Sequence, residues 1–246
     1  MKIIALFNIK GGVGKTATAV NLAFTAAKEG NKVLLVDLDP QGASTFYFQL
    51  ERVDKVKKLI TGAIDLSKAV HDSGYENLDI LPASGDYRKM DSYLESLKKG
   101  SSNWLSNFFK PLRKNYDYVI LDCPPNLSLY SENILRNSDI VLAPVIPTTL
   151  SVITYDQLIN FCKETKIDKK KIFPFFSMYE MRKSLHNETI EQFVMAHKET
   201  INVVIPFKSE IEKMGLYQAP YVARYPNSDI TYLYKELWKV AKKKAG

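Results

Sequence analysis

The stretch FNIKGGVGKTATA, from Phe7 to Ala19, constrains the fold of this chain more than any other. It ends the apolar run IIALFNI and leads into GKTATAVNLAFTAAKEG, whose apolar residues recur at helical spacing as far as Gly30. Glycines between a strand and a helix let successive backbone N–H groups converge on phosphate oxygens, and the helix dipole favours an anion there. The stretch therefore predicts a phosphate-binding loop.

The loop carries a second lysine. A strict G-x-x-x-x-G-K-[ST] pattern fails because Ile9 occupies the position of the first glycine, whereas Lys10 stands five residues before Lys15. We expect Lys15 to contact the β- and γ-phosphates and the Thr16 hydroxyl to be a Mg²⁺ ligand. The remaining nucleotide-binding positions predicted in the loop are Gly11, Gly12, Val13, Gly14 and Ala17.

Carboxylates follow two of the apolar runs. LLVDLDPQG places Asp37 and Asp39 at the end of one predicted strand, and VILDCPP places Asp122 at the end of another. Either motif by itself is also typical of a helix cap or a turn. Because open α/β sheets gather ligands at the carboxyl ends of their strands, we expect all three carboxylates near Lys15 and Thr16, around Mg²⁺.

Short β-branched runs alternate with helical stretches along the whole chain. This pattern predicts a doubly wound α/β fold, a mostly parallel sheet with helices on both faces, as in P-loop NTPases. The predicted strands are IIALFNI, KVLLVDLD, LDILPAS, YDYVILDC, DIVLAPVI, KIFPFFS and INVVIP, joined by crossovers rather than hairpins. After the first helix, the predicted helices are Met90–Leu97, Trp104–Leu112, Val152–Lys163, Glu188–Ala196 and Ile230–Lys243.

With 246 residues, 46% of them hydrophobic, and no linker-like composition, we expect one domain spanning residues 1–246. The cysteines, Cys123 and Cys162, are too few for a disulfide framework, and no apolar run approaches a membrane span. The sequence predicts a cytoplasmic protein. The net charge of +7 favours a polyanionic partner, although a generally basic surface is an equal alternative.

The motifs KGGVGKT, VDLDPQG and LDCPP, in this order, resemble the ParA/MinD family of deviant Walker-A ATPases. The later segments MYEMR, VVIP and QAPYVARYPNS resemble its ParA branch, so the resemblance spans nearly the whole chain. It implies ATP and Mg²⁺ as cofactors. It also implies an ATP-dependent homodimer, nonspecific DNA binding, and a ParB-like or other adaptor that stimulates slow hydrolysis, with the protein associated with the nucleoid.

The resemblance assigns roles to individual residues. It implies that Lys10 reaches the phosphates of the other subunit, that Asp39 orients the attacking water, and that Asp122 is the Walker-B carboxylate. Asp37 is expected to support Mg²⁺ through its water shell. Met178 and Pro206 are expected near the adenine, with ordinary packing at strand ends as the alternative. Ala17 departs from the family, which commonly has a second Ser or Thr there.

A second departure from the family's usual sequence bears on the expected DNA binding. Where relatives read roughly IPRNVR, this chain reads IPFKSE, which places Phe207 and Glu210 at the positions of two basic residues. We expect Lys208 to compensate in part. The candidate DNA contacts are Arg182, Lys183, Lys208 and Arg224, together with Lys169–Lys171 and Lys242–Lys244.

Two other functions are less favoured. A MinD-like membrane ATPase would use the ending LYKELWKVAKKKAG as an amphipathic helix, but this segment coincides with the family's last core helix, where Trp238 fits as a core or rim residue. A metabolic P-loop ligase would need a small-molecule motif, which we do not find. The first strand begins so early that we expect no helix-turn-helix extension ahead of it.

Overall fold

The computed structural model describes residues 1–53, 58–59, 64–97 and 101–246. The strands are β1 (Lys2–Leu6), β2 (Val33–Asp37), β3 (His71–Tyr75), β4 (Leu78–Leu81), β5 (Tyr118–Asp122), β6 (Ile140–Val145), β7 (Ile172–Tyr179) and β8 (Val204–Pro206). They form one eight-stranded sheet in the order β3-β4-β2-β5-β1-β6-β7-β8. All neighbouring pairs are parallel except β3 and β4.

Helices cover both faces of this sheet. Along β2, Leu34 and Val36 pack into one apolar cluster, whereas Val33 and Leu35 pack into the other. Residues buried on both sides explain why the central strands have continuous apolar sequences, and they confirm the predicted doubly wound fold. The helices are α1 (Lys15–Lys28), α2 (Ala43–Tyr47), α3 (Met90–Ser96), α4 (Trp104–Phe108), α5 (Leu129–Asn137), α6 (Thr149–Glu164), α7 (Ser184–Ala196), α8 (Ser209–Glu212), α9 (Met214–Tyr217), α10 (Tyr221–Arg224) and α11 (Asp229–Ala245).

The prediction that no hairpin joins the strands is wrong at one edge of the sheet. The strand β3 pairs antiparallel with β4, and only Glu76 and Asn77 lie between them. Asn77 has a φ of 62°, a left-handed conformation that asparagine tolerates in tight turns. Because β3 is a largely exposed edge strand with a polar sequence, it carries no hydrophobic signal that would predict it.

One helix is shorter than predicted, and another lies outside every predicted helix. The helix predicted for Trp104–Leu112 ends at Phe108 and is followed by a short 3-10 turn, because Pro111 cannot donate the next backbone hydrogen bond. The helix α5 was not predicted, although Ser128 and Ser131 form a reciprocal capping box at its start.

The C-terminal helix α11 packs against the core. Trp238 is fully buried, its Nε1 donates to Glu29 Oε2 at 2.9 Å, and its ring centroid lies 4.9 Å from that of Tyr118. Leu237 and Ala241, which belong to the apolar face considered for a lipid surface, are buried as well. None of the helices in the described part of the chain combines the length and the hydropathy of a membrane span.

Candidate nucleotide-binding site

The glycine loop follows β1 at the centre of the sheet and is tied to neighbouring strands. Asn8 Nδ2 donates to the Pro144 carbonyl at 2.8 Å, and Asn8 Oδ1 accepts from the Lys10 N–H at 2.9 Å. Farther along, Ser177 Oγ donates to the Val13 carbonyl at 2.8 Å. These contacts fix the loop to β6 and β7 before any ligand binds. Asn8 and Ser177 were not expected in the site, because neither belongs to the phosphate-loop pattern.

Two glycines of the loop have backbone angles that favour glycine. Gly12 has a φ of 71° and Gly14 a φ of 86°, whereas Gly11 lies outside this left-handed region. A Cβ atom at any of the three would meet no atom within 4 Å, so backbone conformation alone distinguishes them.

We therefore expect Gly12→Ala to lower the free energy of unfolding by about 1 kcal/mol, because the left-handed conformation is less favourable for alanine than for glycine. Urea denaturation of the nucleotide-free protein measures this. Gly11→Ala is the matched control and should unfold close to the wild-type midpoint. Equal midpoints for the two variants would contradict the expectation.

A cavity of about 340 Å³ lies over the loop. Most of the predicted nucleotide-binding residues line it: Gly11, Gly12, Gly14, Lys15, Thr16, Ala17, Met178 and Pro206. Asp39 lines it too, whereas Lys10, Val13, Asp37 and Asp122 are not part of its wall. Its size is within the range of small-ligand sites.

Lys15 and Asp122 are two buried, oppositely charged residues that interact electrostatically at the glycine loop. Burial lowers the pKa of the Lys15 ammonium, and the negative charge of Asp122 opposes that shift. Lys15 Nζ donates to the Lys10 carbonyl at 3.1 Å. Burial also raises the pKa of Asp122 to about 6, although hydrogen bonds from Ser44 and Thr16 and the charge of Lys15 favour its ionised form. The buried ammonium is thus positioned beside a buried carboxyl.

One carboxylate oxygen of Asp122 lacks a hydrogen-bond partner among the described residues. Its Oδ2 accepts from Ser44 Oγ at 2.7 Å, but Oδ1 is buried and has no hydrogen-bond partner within the described part of the chain. A buried carboxylate oxygen without a donor is suited to a cation. No group of three or more acidic, His or Cys side chains in the described ranges could hold a metal by itself. This suits Mg²⁺, which usually takes one or two carboxylates and substrate phosphates.

Asp37 is buried and is not part of the cavity wall. Its Oδ2 accepts from the Thr45 N–H at 2.8 Å and from Thr45 Oγ1 at 2.7 Å, and its Oδ1 accepts from the Asp39 N–H at 3.3 Å. Burial, and then the charge of Asp122, raise the pKa of Asp37. Asp37 therefore ties α2 to the end of β2. The proposed support of Mg²⁺ through water stays a prediction.

Lys10 does not line the nucleotide cavity. Its Nζ donates to Ser151 Oγ at 2.9 Å, at the start of α6, and Thr148 Oγ1 donates to the same oxygen at 3.2 Å. Leu150 and Ile153, on either side of Ser151, are exposed. Unlike Lys15, the second lysine of the loop lies beside an exposed apolar surface.

Part of the cavity wall is formed by apolar side chains. Met178, which lines the cavity, has a φ of 54°, an uncommon conformation for a residue with a side chain. Five further apolar or aromatic residues of the wall were not expected there, because they come from segments far apart in the chain: Tyr47, Ile205, Phe207, Ile211 and Tyr234. The wall could receive a planar base.

The candidate DNA contacts are dispersed. Arg182 and Lys183 follow β7, and Lys208 follows β8, so they share the sheet edge that carries the glycine loop. Lys208 itself lines the nucleotide cavity, and Lys183 forms an ion pair with Glu180. Arg224 stacks on Tyr217, with its guanidinium carbon 3.9 Å from the ring centroid.

Three of the remaining lysine candidates make intramolecular contacts. Lys171 Nζ donates to the carbonyls of Arg136 and Ser138 at 2.8 and 3.0 Å. Lys242 pairs with Glu29, and Lys244 lies 3.9 Å from the centroid of the Phe173 ring. These ammonium groups would have to leave existing partners to contact phosphates.

Comparison with known proteins agrees with this geometry. A family model described as an AAA domain matches residues 1–174. The sporulation initiation inhibitor protein Soj of Bacillus subtilis is 31% identical over 246 residues, covering 97% of this chain and 97% of Soj. The chain is a ParA/Soj-type member of the ParA/MinD family. It is therefore a P-loop ATPase of the partitioning type.

Solved structures show the same fold as this ParA-type chain. A Cyanothece McdA variant in complex with ATP has a TM-score of 0.85 at 21% identity, covering 99% of this chain and 96% of McdA. Cobyrinic acid a,c-diamide synthase of Mycobacterium smegmatis, with a bound ATP analogue and magnesium, has a TM-score of 0.80 at 24% identity, covering 99% and 95%. At these identities, the likeness extends to the fold alone.

Proposed function

We propose that this protein binds Mg²⁺–ATP in the loop cavity, dimerises on it, binds DNA nonspecifically as a dimer, and is released when an adaptor stimulates hydrolysis. The observation that carries the proposal is that the two lysines of the loop lie in different places. Lys15 is buried beside Asp122 in the loop cavity, whereas Lys10 lies outside that cavity beside exposed apolar side chains. A lysine in that position is suited to contact phosphates that are bound by a second subunit.

In the proposed site, the backbone N–H groups of the loop and Lys15 bind the phosphates, and the apolar wall at Met178 and Pro206 receives the adenine. Thr16 and Asp122 would hold Mg²⁺. When bound, the ion neutralises charge that develops on the phosphate oxygens. Asp39, on the cavity wall, orients the water that attacks the γ-phosphate. Lys10 from the other subunit adds positive charge, in the manner of an arginine finger supplied in trans.

The proposed output is the lifetime of the dimer rather than a released product. Relatives named for chromosome partitioning, such as ParA of Myxococcus xanthus, 28% identical over 232 residues, support a role in positioning DNA or other cargo. We propose that the protein acts as one domain in the cytoplasm, on the nucleoid. The formal net charge of +7 fits a polyanionic partner.

Asp39→Ala provides the test of this function. The variant should bind ATP but hydrolyse it slowly, so the dimer should persist. We expect it to bind nonspecific duplex DNA with ATP and not with ADP. Affinity should fall with salt at a log–log slope of about −0.9 per phosphate contacted. Fluorescence anisotropy of a labelled duplex, recorded with ATP or ADP across a salt series, measures both the nucleotide dependence and the salt dependence of DNA binding.

Charge-removing variants refine the same measurement. In the Asp39→Ala background, Arg182→Ala should reduce the salt slope by about one contact per subunit. Lys171→Ala is the control, since its ammonium donates to two carbonyls of its own chain. Absence of DNA binding by an ATP-bound dimer would contradict the proposal.

A further inference from the structure

A further cavity, of about 650 Å³, lies between helices α1, α10 and α11. We call it the α1–α11 cavity. It is larger than the nucleotide cavity and shares no lining residue with it. Its residues belong to the last turns of α1 and to the segment that runs from α10 into α11, on the face of the sheet that these helices cover. The α1–α11 cavity is therefore separate from the phosphate loop.

Four residues on the wall of the α1–α11 cavity are apolar. Phe24 and Val222 are buried, Ala223 is partly buried and Pro226 is exposed. Covering an apolar wall that is open to solvent is favourable, because the wall and the apolar group that covers it leave water together. Concave sites with such walls and a few charged groups are typical of small-ligand binding.

The neutral hydroxyl groups of the wall already have partners. Thr25 Oγ1 donates to the Asn21 carbonyl at 2.7 Å, and Thr231 Oγ1 donates to the Tyr225 carbonyl at 2.6 Å. Both threonines are buried. Recognition of a polar group in the α1–α11 cavity therefore depends on the charged residues of the wall.

These charged residues carry one net positive charge, since the wall contains three lysines and two glutamates: Lys28, Lys235, Lys239, Glu29 and Glu236. A site with a single excess positive charge matches a ligand with a single negative charge. A carboxylate carries one negative charge at pH 7, whereas a phosphate monoester carries about 1.5 to 2. The charge of the wall therefore favours a carboxylate over a phosphate.

Both glutamates of the wall are engaged within the chain. Glu29 Oε2 accepts from Trp238 Nε1 at 2.9 Å and from Lys242 Nζ at 3.3 Å. Glu236 Oε1 pairs with Lys239 Nζ at 3.8 Å. The negative charges of the wall thus have cationic or N–H partners already, and Lys239 is paired as well.

Lys28 and Lys235 differ from the third lysine of the wall. Both are exposed, and within the described residues neither ammonium group has an ion pair, a hydrogen bond or an aromatic partner. The flexible stem of lysine allows both ammonium groups to converge on one anion. The α1–α11 cavity therefore combines an apolar wall with two cations that are available to a ligand.

We propose that the α1–α11 cavity binds a small carboxylic acid as its monoanion. Lys28 and Lys235 hold the carboxylate, and the apolar body of the ligand packs against Phe24 and Val222. Charge-assisted hydrogen bonds from the two ammonium groups give the site its preference for an anion. This binding goes beyond the proposed ATPase function, because it needs neither nucleotide nor hydrolysis.

The proposal is tested on the full chain without nucleotide, by isothermal titration calorimetry with 1-naphthaleneacetate. The matched probe is 1-naphthaleneacetamide, which keeps the apolar body and replaces the carboxylate by a neutral amide. We expect the acetate to bind with a Kd of about 1 mM or below and the amide to bind at least about threefold more weakly. Added salt should weaken binding of the acetate and leave that of the amide unchanged, because the two lysines are exposed and their charges are screened.

Lysine variants test whether the expected cations hold the ligand. Lys28→Gln and Lys235→Gln should each weaken binding of the acetate by about two- to fivefold, the range expected for an exposed ion pair. Lys243→Gln is the matched control, because Lys243 is an exposed lysine of α11 outside the cavity wall. It should bind as the wild type does. Thermal unfolding of the three variants monitors their folding.

Methyl resonances report where the probe binds. Those of Val222 and Ala223 should shift when the acetate is added, because the naphthalene ring would lie against them. Val141 is the internal control, since it belongs to the apolar cluster on the opposite face of the sheet and its methyl resonances should not shift.

Four results would overturn the proposal. They are no binding of the acetate up to about 10 mM, equal affinity for the amide, wild-type affinity in both cavity-lysine variants, and unshifted Val222 and Ala223 methyl resonances. Tighter binding of a capped peptide, Gly-Phe-Glu-Phe-Gly, than of the acetate would assign the cavity to a protein partner instead and would also overturn it. ATP hydrolysis is measured separately, so failure of this proposal and failure of the proposed function are distinguishable.

Discussion

Lys15→Ala is expected to abolish stable ATP binding, and with it hydrolysis. The Lys15 ammonium lies in the wall of the nucleotide cavity beside Asp122, and it is the positive side chain that the glycine loop offers to the phosphates of its own subunit. Hydrogen bonds to charged groups contribute about 1.5–3 kcal/mol each. Loss of one to the β- and one to the γ-phosphate predicts an affinity that is about 10²–10⁴-fold weaker.

Calorimetric titration with ATP and Mg²⁺ measures this change. Lys28→Ala removes an exposed lysine from the last turn of the same helix and is the control, which should bind ATP as the wild type does. Thermal unfolding of nucleotide-free Lys15→Ala establishes whether the fold survives the loss of the ammonium beside Asp122. A folded Lys15→Ala protein with wild-type affinity for ATP would refute the role given to this residue.

Lys10→Ala is expected to leave ATP binding nearly unchanged while preventing dimerisation. The Lys10 side chain is absent from the cavity wall of its own subunit, so its removal takes nothing from that subunit's phosphate contacts. In the dimer it would contact the phosphates of the other subunit. A cation supplied in trans is worth about 10³–10⁵ in kcat in enzymes that use an arginine finger, and we expect hydrolysis to fall towards that of an isolated subunit.

Analytical ultracentrifugation with ATP in an Asp39→Ala background measures the dimer without loss to hydrolysis. Ser151→Ala is the informative control, because it removes the partner of Lys10 within the subunit but leaves the lysine in place. It should still dimerise. An ATP-dependent dimer of Lys10→Ala with wild-type affinity would exclude action in trans.

The glycine loop and the two strands that end in aspartate could be predicted from sequence because each is a local pattern. The positive φ angles of Gly12 and Gly14 and the end of α1 near Gly30 follow from residue types within a few positions of one another. Burial on both faces produced the apolar runs of β2 and β5, so these strands were found. The ends of β1 and β2 came out shorter than the apolar runs, because the chain leaves the sheet to form the site.

Elements without a strong apolar signal could not be found in this way. The edge strand β3 has little to bury, and the helix α5 depends on a local serine capping box. In the site, Ser44 and Thr45 were overlooked although they hold Asp122 and Asp37, because each has an ordinary residue type whose partner is distant in sequence. Such partners become visible only when the strands are in register.

The sequence by itself determined the family, the phosphate loop and the carboxylates around it, since these depend on residue types at short and fixed spacing. Tertiary structure decided the rest. It buried Asp37 away from the cavity wall and placed Asp39 on that wall, paired Lys10 with Ser151, and left Asp122 Oδ1 without a hydrogen-bond partner among the described residues. Burial, orientation and hydrogen bonding between distant segments are properties of the packed chain, and no local pattern encodes them.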